Sequence, residues 1–294
     1  MGNYARLSRK RRLFHALRGY TIEEFHALLP AFRASFLGRM EQYTMEGKRR
    51  NKRRYVDYCN SPLPTMEDKL MFILTYLRKS TTQDIFGDDY RMPQPVANKW
   101  IHILHPCLNQ ALAKLGENPA RNASDLQLTP EKGQLFFQDG TERPIERPKD
   151  QEIQKTYYSG KKKRHGIKNN VLVNRLAKII LLTPTCEGKK HDKKSADETN
   201  LTLPAGSRLC QDTGFQGFAL PEVTIIQPMK KPRGKELSPE EKENNRQISS
   251  LRIRVEHALE VSSVIELLKT HCAFGRMTSV TVSWKPVVAC TISA

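Results

Sequence analysis

Two short apolar runs in the second half of the chain each end in an aspartate. They read Leu135-Phe136-Phe137-Gln138-Asp139 and Leu209-Cys210-Gln211-Asp212, and each is closed by a nearby glycine. Runs of that length, bounded by turn residues, read as strands rather than helices. Residues 165–173, 177–182 and 223–226 read the same way, and Pro144-Ile145 begins a further extended stretch after a break at Asp139-Gly140. Residues 188–200 are polar, a loop with a helix start. Ser238-Pro239-Glu240-Glu241 opens a helix, with Ser238 as N-cap, Pro239 at N1 and Glu241 at N3. That helix carries Glu256. The order is three strands, a helical or loop segment, two strands and a helix. Acids borne by separate elements of such a sheet can meet only at one of its ends.

This is the order expected of a ribonuclease-H-like core, an α/β fold with a mixed five-stranded sheet and flanking helices. Its chemistry needs carboxylates, because hard divalent cations prefer carboxylate oxygen. Two such ions, about 3.5–4 Å apart, activate an attacking oxygen and stabilise the leaving oxygen of a phosphodiester. Each acid also has a plainer reading. Asp139 suits a turn, Asp212 a helix cap, and Glu256 a surface pair with Arg252 or Arg254.

The first half has helical periodicity. Thr21 and Glu24 form a capping-box pattern ahead of Phe25, Leu28, Leu29, Phe32 and Phe36 on one face. Thr65 caps a second helix with the apolar face Leu70, Phe72, Ile73, Tyr76 and Leu77. A short helical turn over 81–86 is broken by Gly87, and a third helix runs from about Pro95 through Leu104. Helix, short helix, turn and helix make a helix-turn-helix module. Its last helix would offer Arg91, Gln94, Asn98 and Lys99 to base edges and phosphates.

Charge points the same way. The chain carries 49 Lys and Arg against 31 Asp and Glu, a net of +18. A chain that basic repels itself unless it meets a polyanion, so nucleic acid is the expected partner. The excess is uneven: residues 1–54 carry +10 and residues 139–258 carry +8, around a near-neutral stretch. No CxxC pair exists, so a zinc ribbon is not expected. No run is long and apolar enough for a transmembrane helix, and no signal peptide is visible. A cytoplasmic, nucleoid-associated protein is expected.

Three ordered blocks carry a family resemblance. Residues 138–173, QDGTERPIERPKDQEIQKTYYSGKKKRHGIKNNVLV, resemble the first catalytic block of bacterial insertion-sequence DDE transposases. QDTGFQG around Asp212 resembles the second-acid block, and SLRIRVEHA the third-acid helix. Residues 65–112 resemble the helix-turn-helix found upstream in that group. The resemblance implies Asp139, Asp212 and Glu256 as the catalytic, metal-binding triad, with two Mg2+ (or Mn2+) ions. It implies DNA as partner, both terminal inverted repeats and target, with a homodimer or larger assembly holding the ends. Lys161, Lys162, Lys163, Arg164 and Lys168 would lie near the DNA backbone, as would Arg252 and Arg254. His191 and Asp192 also fall in a recurring block, with no role beyond lining the site.

The resemblance stops at Ala258, where relatives continue Ile-Gly-Gly-Val-Lys-Arg. Deleting one A from GCA-ATT-GGA-GGT gives GCA-TTG-GAG-GTG, which encodes Ala-Leu-Glu-Val, the residues at 258–261. A single-base deletion would therefore leave 259–294 as an out-of-frame tail, poorly packed, with activity reduced or lost. The expected organisation is a basic helical arm over 1–60, an all-α helix-turn-helix domain over 61–130, the catalytic domain over 131–258, and the tail. The expected function is strand cleavage and strand transfer at terminal repeats. The alternatives are a degenerate DNA-binding protein and a ribonuclease-H-like endonuclease without transposition.

Overall fold

The computed structural model describes residues 4–51, 55–57, 60–79, 81–128, 133–176, 178–231, 234 and 236–261. The side chains of 18 and 254–261 are not among those described. The chain divides into two compact units, one running to Asn118 and the other starting at Pro119.

The first unit is helical: α1 (Tyr4–Leu7), α2 (Arg11–Arg18), α3 (Ile22–Gln42), α4 (Met66–Lys79), α5 (Gln83–Asp89) and α6 (Gln94–Lys114). The capping box at Thr21 and Glu24 forms in both directions. Thr65 caps α4 through the Asp68 N–H at 3.0 Å. Asp68 in turn accepts from the backbone N–H of Tyr4 at 2.7 Å, which ties α1 to α4. The sequence shows one apolar face on α4, yet eleven consecutive or near-consecutive positions from Met66 to Leu77 are buried. A helix buried all round is the centre of a bundle. Helices α3 and α6 pack on each other and on α4, so the basic segment before residue 60 contributes to the same core as α4 and α6. Phe14, Phe25, Phe32, Phe36, Phe72 and Phe86 are fully buried in it.

Two boundaries differ from expectation. Helix α5 runs through Gly87 rather than stopping there. A Cβ at Gly87 would sit 2.6 Å from the Met92 carbonyl, so the glycine serves close approach, not termination. Helix α6 continues through Pro106 to Lys114, well past Leu104, because Cys107, Leu108, Ala111 and Leu112 extend its buried stripe.

The second unit contains β1 (Leu135–Pro144), α7 (Gln151–Tyr157), β2 (Tyr158–Ser159), β3 (Arg164–Asn174), β4 (Ile179–Leu182), β5 (Cys186–Glu187), α8 (Asp192–Asp197), β6 (Arg208–Cys210), β7 (Thr224–Ile226) and α9 (Pro239–Val261). Strand β3 pairs antiparallel with β1 on one edge and with β4 and β5 on the other. Strands β6 and β7 then run parallel to β1. Seven strands pair in all rather than five, because the short strands β2 and β5 also pair with the long β3. The path β4-β3-β1-β6-β7, with three antiparallel strands followed by two parallel ones, is the ribonuclease-H-like arrangement. Strand β1 does not break at Asp139-Gly140. It continues to Pro144 because the long partner β3 supplies ladder positions for every residue of 136–144.

Alternation divides the sheet into two faces. Phe137, Val171, Val173 and Cys210 pack with Ile248 of α9 on one. Phe136, Leu172, Leu209 and Phe215 pack with Ala196 of α8 on the other. The start of α9 is the expected reciprocal cap, Ser238 N–H to Glu241 at 2.7 Å and Glu241 N–H to Ser238 at 3.1 Å.

One charge lies inside the helical core. Lys69 is fully buried, and its Nζ donates to Asp57 Oδ1 at 2.8 Å and to the Leu63 carbonyl at 2.9 Å. The rings of Phe36 and Trp100 lie 5.5 and 5.7 Å away. Removing one partner of such a pair leaves an uncompensated buried charge. Asp57→Ala is expected to cost about 2 kcal/mol in urea unfolding, below the full range for buried pairs because Asp57 is partly exposed. Lys69→Met, which removes the charge itself, is expected to cost less.

Candidate active site

The parallel register of β1 and β6 places Phe137 beside Cys210. Two residues farther on lie Asp139 and Asp212, so both acids leave the same end of adjacent strands. Period-two alternation puts them on the face of Phe137 and Cys210, the face covered by α9. Asp139 is still in the ladder, opposite Val171 of β3. Asp212 has left β6 and caps the single turn Thr213–Phe215. Asp139 Oδ1 accepts the Gly140 N–H at 2.8 Å, and Asp212 Oδ1 accepts the Gly214 N–H at 2.7 Å. A carboxylate has about four acceptor sites, so the bond to Gly214 does not exhaust Asp212. The capping role and a metal role are therefore compatible.

Helix α9 reaches this end of the sheet. Ile248 is buried against Phe137 and Cys210. Burial pushes the Cys210 thiol above its ordinary pKa, and the nearby Arg252 guanidinium opposes that rise. Ile248, Arg252 and Glu256 follow one another at intervals of four on the helix, a stripe that drifts by only about 40° per step. The backbone of Glu256 thus continues the stripe that faces β6. The side chains of Glu256 and Arg254 lie outside the described residues. Among the described residues, no three His, Cys, Asp or Glu side chains converge as a metal site. Two partly exposed carboxylates at a strand end are oxygen donors of the kind a hard divalent cation takes.

Residues 138–265 match the family model of DDE superfamily endonucleases. The match begins one residue before Asp139 and extends past Ala258. Over 219 residues the chain is 27% identical to a protein from Microchaete diplosiphon named as a probable transposase for insertion sequence element IS702. That alignment covers 73% of this chain and 77% of the relative. No solved structure matches. Residues 138–265 thus form a domain similar to the DDE superfamily endonucleases. Members of that superfamily depend on divalent metal, and their substrate is DNA.

The domain has a further carboxylate that sequence reading left without a role. Asp192, at the start of α8, sits against the two glycines that follow the acids. A Cβ at Gly140 would lie 3.3 Å from Asp192 Oδ1, and one at Gly214 would lie 2.9 Å from both Asp192 Oδ2 and Asp212 Oδ1. One methyl group would thus span the gap between the two carboxylates. Lys168 Nζ holds Asp192 from β3 at 3.2 Å and also bonds the Lys190 carbonyl at 3.1 Å. The signal was present in the sequence as Gly140 and Gly214, but only the fold shows what those glycines make room for.

The expected DNA contacts fall into two groups. Lys161, Lys162, Lys163 and Arg164 are all exposed at the turn between β2 and β3. Arg91 is exposed with a left-handed φ of 56°, and Lys99 is exposed with Glu46 at 3.6 Å. Gln94 and Asn98, by contrast, both donate to Gln83 Oε1 at 2.8 Å and so brace α5 against α6. Lys168 is engaged with Asp192. Arg252 is half-buried beside Cys210.

Gly188 and Gly214 should respond differently to a methyl group. At Gly188 it would meet the Gly166 carbonyl oxygen at 2.5 Å, which is backbone and cannot swing aside. At Gly214 it meets two carboxylates that can. Gly188→Ala is expected to lower the melting temperature more than Gly214→Ala. Gly214→Ala is expected to stay folded and lose Mn2+ affinity in a metal titration.

Proposed function

We propose that this chain is the transposase of an insertion sequence, and that Asp139, Asp212 and Glu256 are its metal-holding acids. The observation that carries the reading is the placement of Asp139 and Asp212 at one end of neighbouring parallel strands, on the α9 face, within a DDE endonuclease domain. Two Mg2+ or Mn2+ ions are the cofactors this donor chemistry suits. When bound, they supply an activated water or 3′-hydroxyl and stabilise the leaving oxygen of the phosphodiester.

The chain's own part is to fix the carboxylates and to present DNA to them. Strands β1 and β6 set the lateral separation of the first two acids. Helix α9, held by Ile248, brings the third. The cationic turn Lys161–Arg164 takes the phosphate backbone near the site. Arg91 and Lys99 serve the helical unit in the same way, while Gln94 and Asn98, bonded to Gln83, hold α5 on the start of α6. Arg252 and Arg254 add positive charge along α9. The DNA is the element's terminal inverted repeats and then its target, held by two or more copies of the chain. Residues 259–294 are read as an out-of-frame tail, which reduces the activity of this copy by removing the continuation of α9. Residues 262–294 lie outside the described residues.

The test is a terminal-repeat duplex with Mg2+ or Mn2+, incubated with this chain and with a version whose reading frame is restored at the Leu259 codon. Strand cleavage and a strand-transfer product are expected from the restored chain, less from this one, and none from Asp139→Asn in either. Cleavage that survives Asp139→Asn overturns the assignment. The coding DNA tests the tail directly: its adjacent frame is expected to continue Gly-Gly-Val-Lys-Arg. Replacing Lys161, Lys162 and Lys163 with alanine is expected to lower the slope of log affinity against log salt by about 2–3.

A further inference from the structure

We propose that a buried glutamine ladder, Gln138–Gln211–Gln227, is the positioning device that sets the spacing of Asp139 and Asp212; this rests on the reading of those two as metal-holding acids. Gln138 and Gln211 each stand immediately before one of the acids. Gln138 is 4% exposed and Gln211 fully buried. Gln211 Nε2 donates to Gln138 Oε1 at 2.6 Å. Gln227 Nε2 donates to Gln211 Oε1 at 2.7 Å and to the Phe215 carbonyl at 3.0 Å.

The place of these bonds gives them their role. The backbone ladder between β1 and β6 ends at Phe137 and Cys210. The acids lie two residues beyond that last rung. The Gln138–Gln211 bond is the next rung, made by side chains where the β1–β6 backbone pairing has run out. Gln227 follows β7 directly, so the ladder spans all three parallel strands at one level. Its last bond, to Phe215, ties down the turn that Asp212 caps. By alternation the glutamines point to the α8 face and the acids to the α9 face, so the amides can brace the acids without occupying their site. Their neighbours on that face are Leu172, Leu209 and Phe215, among which a buried amide is costly unless it is bonded.

The test is Mn2+ binding to the full chain, read by electron paramagnetic resonance or calorimetry, beside a thermal melt. Gln138→Met and Gln211→Met are expected to stay folded and to weaken Mn2+ binding by about tenfold, as loss of groups that orient metal ligands does. The double variant is expected to bind no more weakly than the singles, since one rung is lost in all three. Asp139→Asn is expected to abolish the binding. Wild-type Mn2+ affinity in the glutamine variants, alongside loss in Asp139→Asn, overturns the ladder's role and leaves the acid assignment standing. Wild-type affinity in Asp139→Asn overturns the acid assignment, and the ladder with it. If a single variant does not fold because it strands an amide, the double variant, which removes both, decides: a folded double with wild-type affinity overturns the proposal.

Discussion

Strand β6 is only three residues long, yet its parallel pairing with β1 governs everything in the second unit. With Phe137 beside Cys210, Asp139 and Asp212 stand together; a slip of one residue would turn every side chain of β6 to the opposite face. Asp212 would then point among Leu172, Leu209 and Phe215, and Gln211 would point at α9. A short parallel pairing is weak by itself. Here it is held from both sides, by β7 in matching parallel register and by the apolar layer under α9.

The same alternation separates two chemistries. The α9 face carries the apolar core and then the acids as the strands run out. The α8 face carries the second apolar core and then amides, Lys168 and Asp192. Asp192 lies beside the Asp212 carboxylate across Gly214, an arrangement that raises the local demand for cations. Lys168 answers part of that demand from within the fold, so it is not a mobile surface charge. The cations of the β2–β3 turn, by contrast, are exposed, where phosphate can approach and counterions can be released.

Much of this was legible in the sequence, and the losses have physical causes. Capping boxes at Thr21 and Ser238 are local, so they were readable and they form. The strand at 165–173 was readable from its β-branched Ile167, Val171 and Val173. The continuation of β1 past Gly140 was not, because it depends on the length of β3, a partner distant in sequence. Gly87 and Pro106 look like helix breakers, and each is overridden by packing. The acids at Asp139 and Asp212 stood out because each ends an apolar run. Asp192 did not, since its place becomes apparent only when Gly140 and Gly214 are brought beside it. Gln94 and Asn98 looked like base readers by residue type alone, and type cannot reveal that Gln83 accepts from both.

The net charge of +18 also divides by what the fold does with it. In the first unit one ammonium, Lys69, is consumed in the core, where Asp57, the Leu63 carbonyl and two aromatic rings replace its water. In the second unit Lys168 is consumed beside the acids. Neither lysine counts toward a long-range field in the way an exposed one does, because each is neutralised at contact distance. The exposed cations that remain are spread over both units: Arg9, Arg12, Lys48 and Arg49 in the first, and Lys161 to Arg164, Arg208 and Lys230 in the second, among others. Contacts from such side chains to phosphate set the register and orientation of a duplex without reading its sequence.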